Sequence, residues 1–252
     1  MSKPSDLASV AAFLIHDGTL FFARRVHQGV ETPVTALIRG LCVLDPKRSI
    51  ALTRERIFCN YEPLPLCAGM VKVVAKRITY LPMDHFLERF TAHQGEFREV
   101  SPPSQSSFFE ELIPKELSVS EGNIKHWLEL LRGRASGRTR VSAILTGAEG
   151  KVFAYSWSQS LENRTNHAEL QLVHSLVEQG LQGFHRESTL WVSLRPCAMC
   201  SAQILSFSKK ESPIRVKFLE DDTGPAARNS CLYRASELWL LAGSPNIDVS
   251  PI

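Results

Sequence analysis

The sequence predicts an α/β protein made of two copies of one layered domain. Three observations lead there. Strand-like and helix-like apolar patterns alternate along the chain, a hairpin-to-helix pattern recurs at an offset of 132 to 133 residues, and a Ser/Pro-rich stretch separates the two occurrences. Alternating strands and helices bury their apolar faces against each other as layers.

The bulk properties set the frame. A chain of 252 residues can bury one large core or two compact domains. With 44% hydrophobic and 22% charged residues it has a soluble globular composition. A net charge of +3 permits a nucleic-acid partner without requiring one. The N-terminal apolar run is broken by His16, Asp17 and Gly18, so it reads neither as a signal peptide nor as a membrane span. No other long uncharged apolar run occurs, and no membrane partner is expected. Six cysteines are too sparse for a disulfide scaffold in a chain of this length. A reducing cytoplasm is therefore expected, where clustered cysteines serve as metal ligands or redox groups.

Taken in order, residues 10–23 (VAAFLIHDGTLFFA) read as a β-hairpin, two apolar strands around a turn at Gly18. Residues 56–70 (RIFCNYEPLPLCAGM) read as a strand entering a helix. Residues 101–122 are Ser/Pro-rich and read as a linker. Ile124, Trp127, Leu128 and Leu131 then follow helical spacing, ending in an arginine-rich stretch at 132–140. Residues 141–154 (VSAILTGAEGKVFA) repeat the hairpin, with Gly150 on Gly18, and residues 189–203 (TLWVSLRPCAMCSAQ) repeat the strand-to-helix corner. Between them Leu172, Val173, Leu176 and Val177 form one helical face; Ile214, Val216 and Phe218 alternate as a strand, and residues 236–243 suggest a fifth. Within the second hairpin, Phe153 alternates inward as core and Trp157 falls in the following loop. The expected domains are 1–100, a linker at 101–122, and 123–252.

The second copy carries the chemistry. His167, Cys197 and Cys200 are ligand types that zinc prefers, and two cysteines three apart at a helix start bring both thiolates to one point. Three protein ligands leave one zinc position open, as in catalytic sites. Glu169, two residues after His167, would sit beside a water there and shuttle its proton. His16, His27, His85, His93, His174 and His185 lack partners at useful spacing, and Cys42, Cys59, Cys67 and Cys231 read as core or incidental thiols. The arginines at 132, 134, 138 and 140, with Lys72, Lys76 and Arg77, are either solvated surface or a phosphate-gripping patch.

His-x-Glu followed by Pro-Cys-x-x-Cys resembles the signature of the zinc-dependent deaminase superfamily. Residues 189–204 are most similar to its tRNA adenosine deaminase branch, and residues 221–230 (DDTGPAARNS) resemble that branch's Asp-Thr-Gly-Ala loop. The resemblance covers residues 141–243. It implies tandem three-layer α/β/α deaminase-like domains, each a mixed five-stranded sheet with helices on both faces, paired as an intrachain pseudo-dimer. It implies one zinc per chain on His167, Cys197 and Cys200, with Glu169 as proton shuttle in replacing an amino group by oxygen. Adenosine in tRNA or another RNA is the first substrate it suggests. A free base, nucleoside or nucleotide is the second, and a non-catalytic nucleic-acid-binding module with structural zinc the third. Trp157, Asn163, Pro196 and Ser156 are the expected substrate contacts. Arg195 stands where the family usually has an acidic residue, and its base-reading asparagine has no clear match among Ser156, Ser158 and Asn163.

The first copy does not carry these ligands. At an offset of 132, His167 falls on Thr35 and Glu169 on Leu37; at 133, Cys197 falls on Leu64, and only Cys200 keeps a cysteine counterpart, Cys67. That copy is expected to be metal-free and inactive.

Overall fold

A computed structural model of the protein describes residues 4, 6–25, 30–75, 77–102, 113, 117–161, 163–208, 214–228, 230, 232 and 247–251. The chain divides into two compact units, residues 1–104 and 105–252. The fifth strand expected at 236–243 lies outside the described residues, as do His27, Lys76 and Cys231.

The first unit runs β1 (Val10–His16), β2 (Thr19–Arg24), α1 (Pro33–Leu44), α2 (Ser49–Leu52), β3 (Arg56–Cys59), α3 (Pro65–Val73), β4 (Arg77–Tyr80), α4 (Met83–Thr91) and β5 (Glu96–Glu99). Asp17 and Gly18 both have positive φ, the two-residue turn whose twist suits a tight hairpin. The sheet order is β4-β3-β1-β2-β5. β1 pairs antiparallel with β2 and β3, whereas β4 joins β3 and β5 joins β2 in parallel. Phe86 and Phe90 of α4 pack on Phe13, Phe22, Phe58 and Phe97, with Phe22 and Phe90 edge-to-face at 5.7 Å. Burying each such ring stabilises the unit by about 1.5–3 kcal/mol.

The second unit runs α5 (Ile124–Arg132), β6 (Ser142–Thr146), β7 (Val152–Trp157), α6 (Ala168–Glu178), β8 (Thr189–Leu194), α7 (Ala198–Phe207), β9 (Ile214–Glu220), α8 (Pro225–Arg228) and β10 (Ile247–Pro251). Its order is β10-β9-β8-β6-β7. Four strands therefore repeat in order and direction, β4-β3-β1-β2 against β9-β8-β6-β7. The fifth strands do not: β5 extends the hairpin edge of its sheet, and β10 pairs parallel with β9 at the opposite edge.

Three expectations need correction here. Part of the 101–122 stretch is no free linker. Ile113 and Val119 are buried with Leu128, Leu131, Ile144 and Trp191 under α5, and Ser118 pairs with Lys151. Phe153 is 47% exposed, not core. The β6–β7 register skips it, Thr146 facing Val152 and Leu145 facing Ala154, so a bulge inverts the alternation there. Trp157 is the last residue of β7, not part of a loop, and packs against the apolar cluster beneath α5.

Candidate metal centre

Two helix N-termini converge at one end of the second sheet. His167 is the N-cap of α6 and Cys197 the N-cap of α7, each in extended conformation before its first turn. Their side chains thus lie where helix dipoles favour negative charge and thiolates. Cys200 follows one turn into α7 and is fully buried.

The three ligand atoms form a small triangle. Nδ1 of His167 lies 3.6 Å from Sγ of Cys197 and 3.5 Å from Sγ of Cys200, and the sulfurs are 3.6 Å apart. Tetrahedral zinc, with bonds of about 2.3 Å to sulfur and 2.0 Å to nitrogen, requires sulfur–sulfur edges of about 3.8 Å and sulfur–nitrogen edges of about 3.5 Å. The donors fit such an ion in kind and in spacing. Among the described residues, this is the one group of three side chains placed to hold a metal.

Glu169 sits in the first turn of α6, 2% exposed. It shares a hydrogen bond with the Cys200 thiol, and its Oε2 has no partner among the described residues. Burial, with the Cys197 thiolate adding to it, pushes its carboxyl up to about 7. The hydrogen bond from Cys200 draws Cys197 well below the usual thiol range, while burial holds Cys200 well above it. Burial opposes the charged form of His167, but the Cys197 thiolate prevails and raises its pKa. A metal replaces the remaining thiol proton on binding.

The outer expectations divide. Asn163 is 3% exposed; its Oδ1 accepts from Thr165 N at 2.9 Å and Thr165 Oγ1 at 2.7 Å. That fixes the amide orientation and leaves Nδ2 as a buried donor with no partner among the described residues. Thr165 O in turn accepts from His167 N, which ties Asn163 to the ligand loop. Ser156 does not offer its hydroxyl: Oγ donates to Ala168 O at 2.7 Å, and its work is to seat α6. Ser158 Oγ is likewise spent, accepting from Val141 N and donating to Thr139 O. Trp157 is a correction as well. Ser156 faces α6, so its neighbour Trp157 faces the α5 layer, away from the helices that carry the ligands. Pro196 is buried beside Cys197, and its carbonyl accepts from Ser201 Oγ at 3.2 Å. Arg195 turns aside, its guanidinium 4.9 Å over the Phe218 ring and 3.0 Å from Asp221 Oδ1.

Spacing alone misplaced the counterparts in the first unit. The N-cap of α1 is Thr32, so Thr32 and not Thr35 occupies the place of His167, and Val34 that of Glu169. Leu64 is the N-cap of α3 and Cys67 lies three residues on, as Cys197 and Cys200 do in α7. Thr32 Oγ1 lies 3.1 Å from Cys67 Sγ, the place of the His167–Cys200 edge. Tyr61 Oη accepts from Val34 N at 3.1 Å and lies 3.6 Å from Cys67 Sγ, so a phenol fills this corner. Gln171, which braces the ligand loop through Trp157 O and Asn166 O, carries no signal in sequence that would have marked it.

Residues 133–237 match the family model of the Bd3614-like deaminases. With the geometry above, that match supports a deaminase. It falls within the second unit. A comparison with curated proteins gave no match. Among solved structures, one from a study of A-to-I editing by tRNA:A34 deaminases at the wobble position of transfer RNA is 24% identical, covering 43% of this chain and 81% of that chain at a TM-score of 0.34. The dCMP deaminase of cyanophage S-TIM5 is 20% identical over 52% of this chain and 95% of that chain, with a TM-score of 0.35. The guanine deaminase of Nitrosomonas europaea is 15% identical over 58% of this chain and 86% of that chain, with a TM-score of 0.41. No helix among the described residues is long and apolar enough to cross a membrane.

Proposed function

We propose that this protein is a zinc-dependent hydrolytic deaminase acting on a nucleobase, with adenosine in tRNA or another RNA, converted to inosine, as its substrate. One observation carries the reading: three donors at the edge lengths of a tetrahedral zinc site, with a buried carboxylate oxygen of Glu169 beside them that has no partner among the described residues. His167, Cys197 and Cys200 would hold the ion. Zinc bound there would supply an acidified water close to neutral pH.

Glu169 takes a proton from the attacking water and returns it to the departing amino group. The new bond is carbon–oxygen, the broken bond carbon–nitrogen, and ammonia leaves. A carboxyl near neutrality suits both halves of that exchange. Asn163 Nδ2, a fixed donor with no partner among the described residues, would read an acceptor on the ring. Pro196 would wall the pocket beside Cys197. The first unit would hold no metal, Thr32, Leu64 and Tyr61 having replaced the donor set.

The test is incubation of the protein and its Glu169→Ala variant with total RNA, reading A→G and C→U changes by sequencing. Glu169-dependent A→G changes are expected. Ammonia release from a free nucleoside or base, with no Glu169-dependent change in RNA, would instead assign the site to small molecules.

A further inference from the structure

The arginine-rich segment after α5 is built into the metal end of the sheet. Ser136 N donates to Ser158 O at 2.8 Å, Ser160 Oγ donates to Ser136 O at 3.2 Å, and Ser136 pairs in parallel with Gln159. Gln159 N in turn donates to Asn166 O at 2.9 Å, one residue before His167. Two strand spacings of about 4.8 Å each therefore separate this segment from the ligand loop.

Gly137 lets the segment lie there. Its φ is +106°, and a Cβ at this position would meet Ser160 Oγ at 1.9 Å. Only glycine satisfies both the left-handed backbone and the close approach. The turn then carries Arg138 and Arg140 back toward Ser142, the first residue of β6. Ser142 faces Trp157, the last residue of β7, so both arginines stand at the sheet end where α6 and α7 begin.

Among the described residues, charge at this lip is unbalanced. Arg138 and Arg140 are exposed and form no ion pair among the described residues. From Gly133 to Asn166 the acidic residues are Glu149, in the β6–β7 turn at the far end of the sheet, and Glu162, which lies outside the described residues, against five arginines and lysines at 134, 138, 140, 151 and 164. On the other side of the metal centre Asp221 pairs with Arg195 and Glu220 with Arg132, while Asp222 Oδ1 accepts from Gly224 N. Arg132 is thereby removed from the patch suggested by the sequence. Arg164, half-buried three residues before His167, adds a third cation on the ligand loop itself.

We propose that Arg138 and Arg140 grip the backbone phosphates flanking the reacting nucleotide of a single-stranded RNA segment, so that the substrate is a polymer and not a free nucleoside. The identity of what enters the metal centre rests on the deaminase reading; the binding of the strand does not. Two guanidinium groups held by a glycine-locked turn meet successive phosphates without reading bases, which leaves sequence choice to the pocket.

The test is fluorescence anisotropy of a labelled single-stranded RNA oligonucleotide across a potassium chloride series. The variant Arg138→Glu/Arg140→Glu should bind at least about tenfold more weakly than wild type, and its salt slope should be shallower by about 1.4, two lost contacts on a single strand. Arg138→Lys/Arg140→Lys should keep most of the affinity, and Gly137→Ala should weaken binding with no change of charge. Zinc content and thermal midpoint establish that each variant is folded. Equal affinity and equal salt slope for wild type and the double glutamate variant would overturn the proposal. RNA binding that depends on both arginines without any Glu169-dependent deamination would leave this surface standing and sink the enzyme reading. Glu169-dependent deamination with RNA affinity indifferent to both arginines would sink the surface alone.

Discussion

At the scale of single residues, the metal centre depends on short-range spacing that survives in sequence. His167 and Glu169 share the first turn of α6, and Cys197 and Cys200 the first turn of α7, so each pair is placed by its own helix. The outer contacts were harder to read because hydroxyl and amide groups have competing local partners. Ser156 and Ser158 are spent on backbone carbonyls, whereas Asn163 keeps a donor without a partner among the described residues. Asn163→Asp retains the acceptor that Thr165 uses and removes the Nδ2 donor, at the cost of a buried carboxylate whose desolvation should lower the thermal midpoint. KM for the deaminated substrate should rise by roughly tenfold or more, the cost of about 1.5 kcal/mol or more for a lost buried hydrogen bond. An unchanged KM in the folded variant would make Asn163 a structural residue. Glu169→Gln, which preserves shape, should leave bound zinc unchanged and lower kcat by about 10²–10⁴. Metal analysis and steady-state kinetics on one preparation check both halves.

At the scale of elements, periodicity located most strands and helices, and its failures have a physical cause. Period-two reading put Phe153 inside, but the bulge between Leu145 and Thr146 and their partners inverts the alternation, leaving Phe153 out and Trp157 toward α5. A bulge is an extra residue in a pairing, and pairing is set by the neighbouring strand. Counterparts between the copies failed for a related reason. The segment from hairpin to helix differs in length, so a constant offset selects Thr35 where the cap is Thr32. Helix α4 offers an energetic test. Phe90 is fully buried and its ring meets Phe13, Phe22, Phe86 and Phe97. Phe90→Ala should destabilise the first unit by about 3–5 kcal/mol, read by denaturant unfolding. Its zinc content when folded should match wild type.

At the scale of the whole molecule, the two units share a four-strand plan and differ in the side chains at the corresponding helix N-termini, His167, Cys197 and Cys200 in one and Thr32, Leu64 and Cys67 in the other. Zinc analysis of the full chain should give one equivalent. Cys200→Ser should abolish it, Cys67→Ser should leave it unchanged, and removal of zinc by a chelator should lower the thermal midpoint of wild type while sparing that of Cys200→Ser. Two equivalents in wild type, or a loss of metal in Cys67→Ser, would contradict the assignment of the first unit. By itself the sequence determined the layered α/β class and singled out the three side chains that the fold brings together as a candidate metal group, because those depend on local periodicity and on spacings within a helical turn. Only the tertiary structure decided which edge each fifth strand joins, which face Trp157 takes, and that Tyr61 fills the first unit's corner. It also decided that the arginine segment is locked beside the ligand loop. Each of these depends on contacts between segments far apart in the chain, and no pattern within one segment encodes its partner.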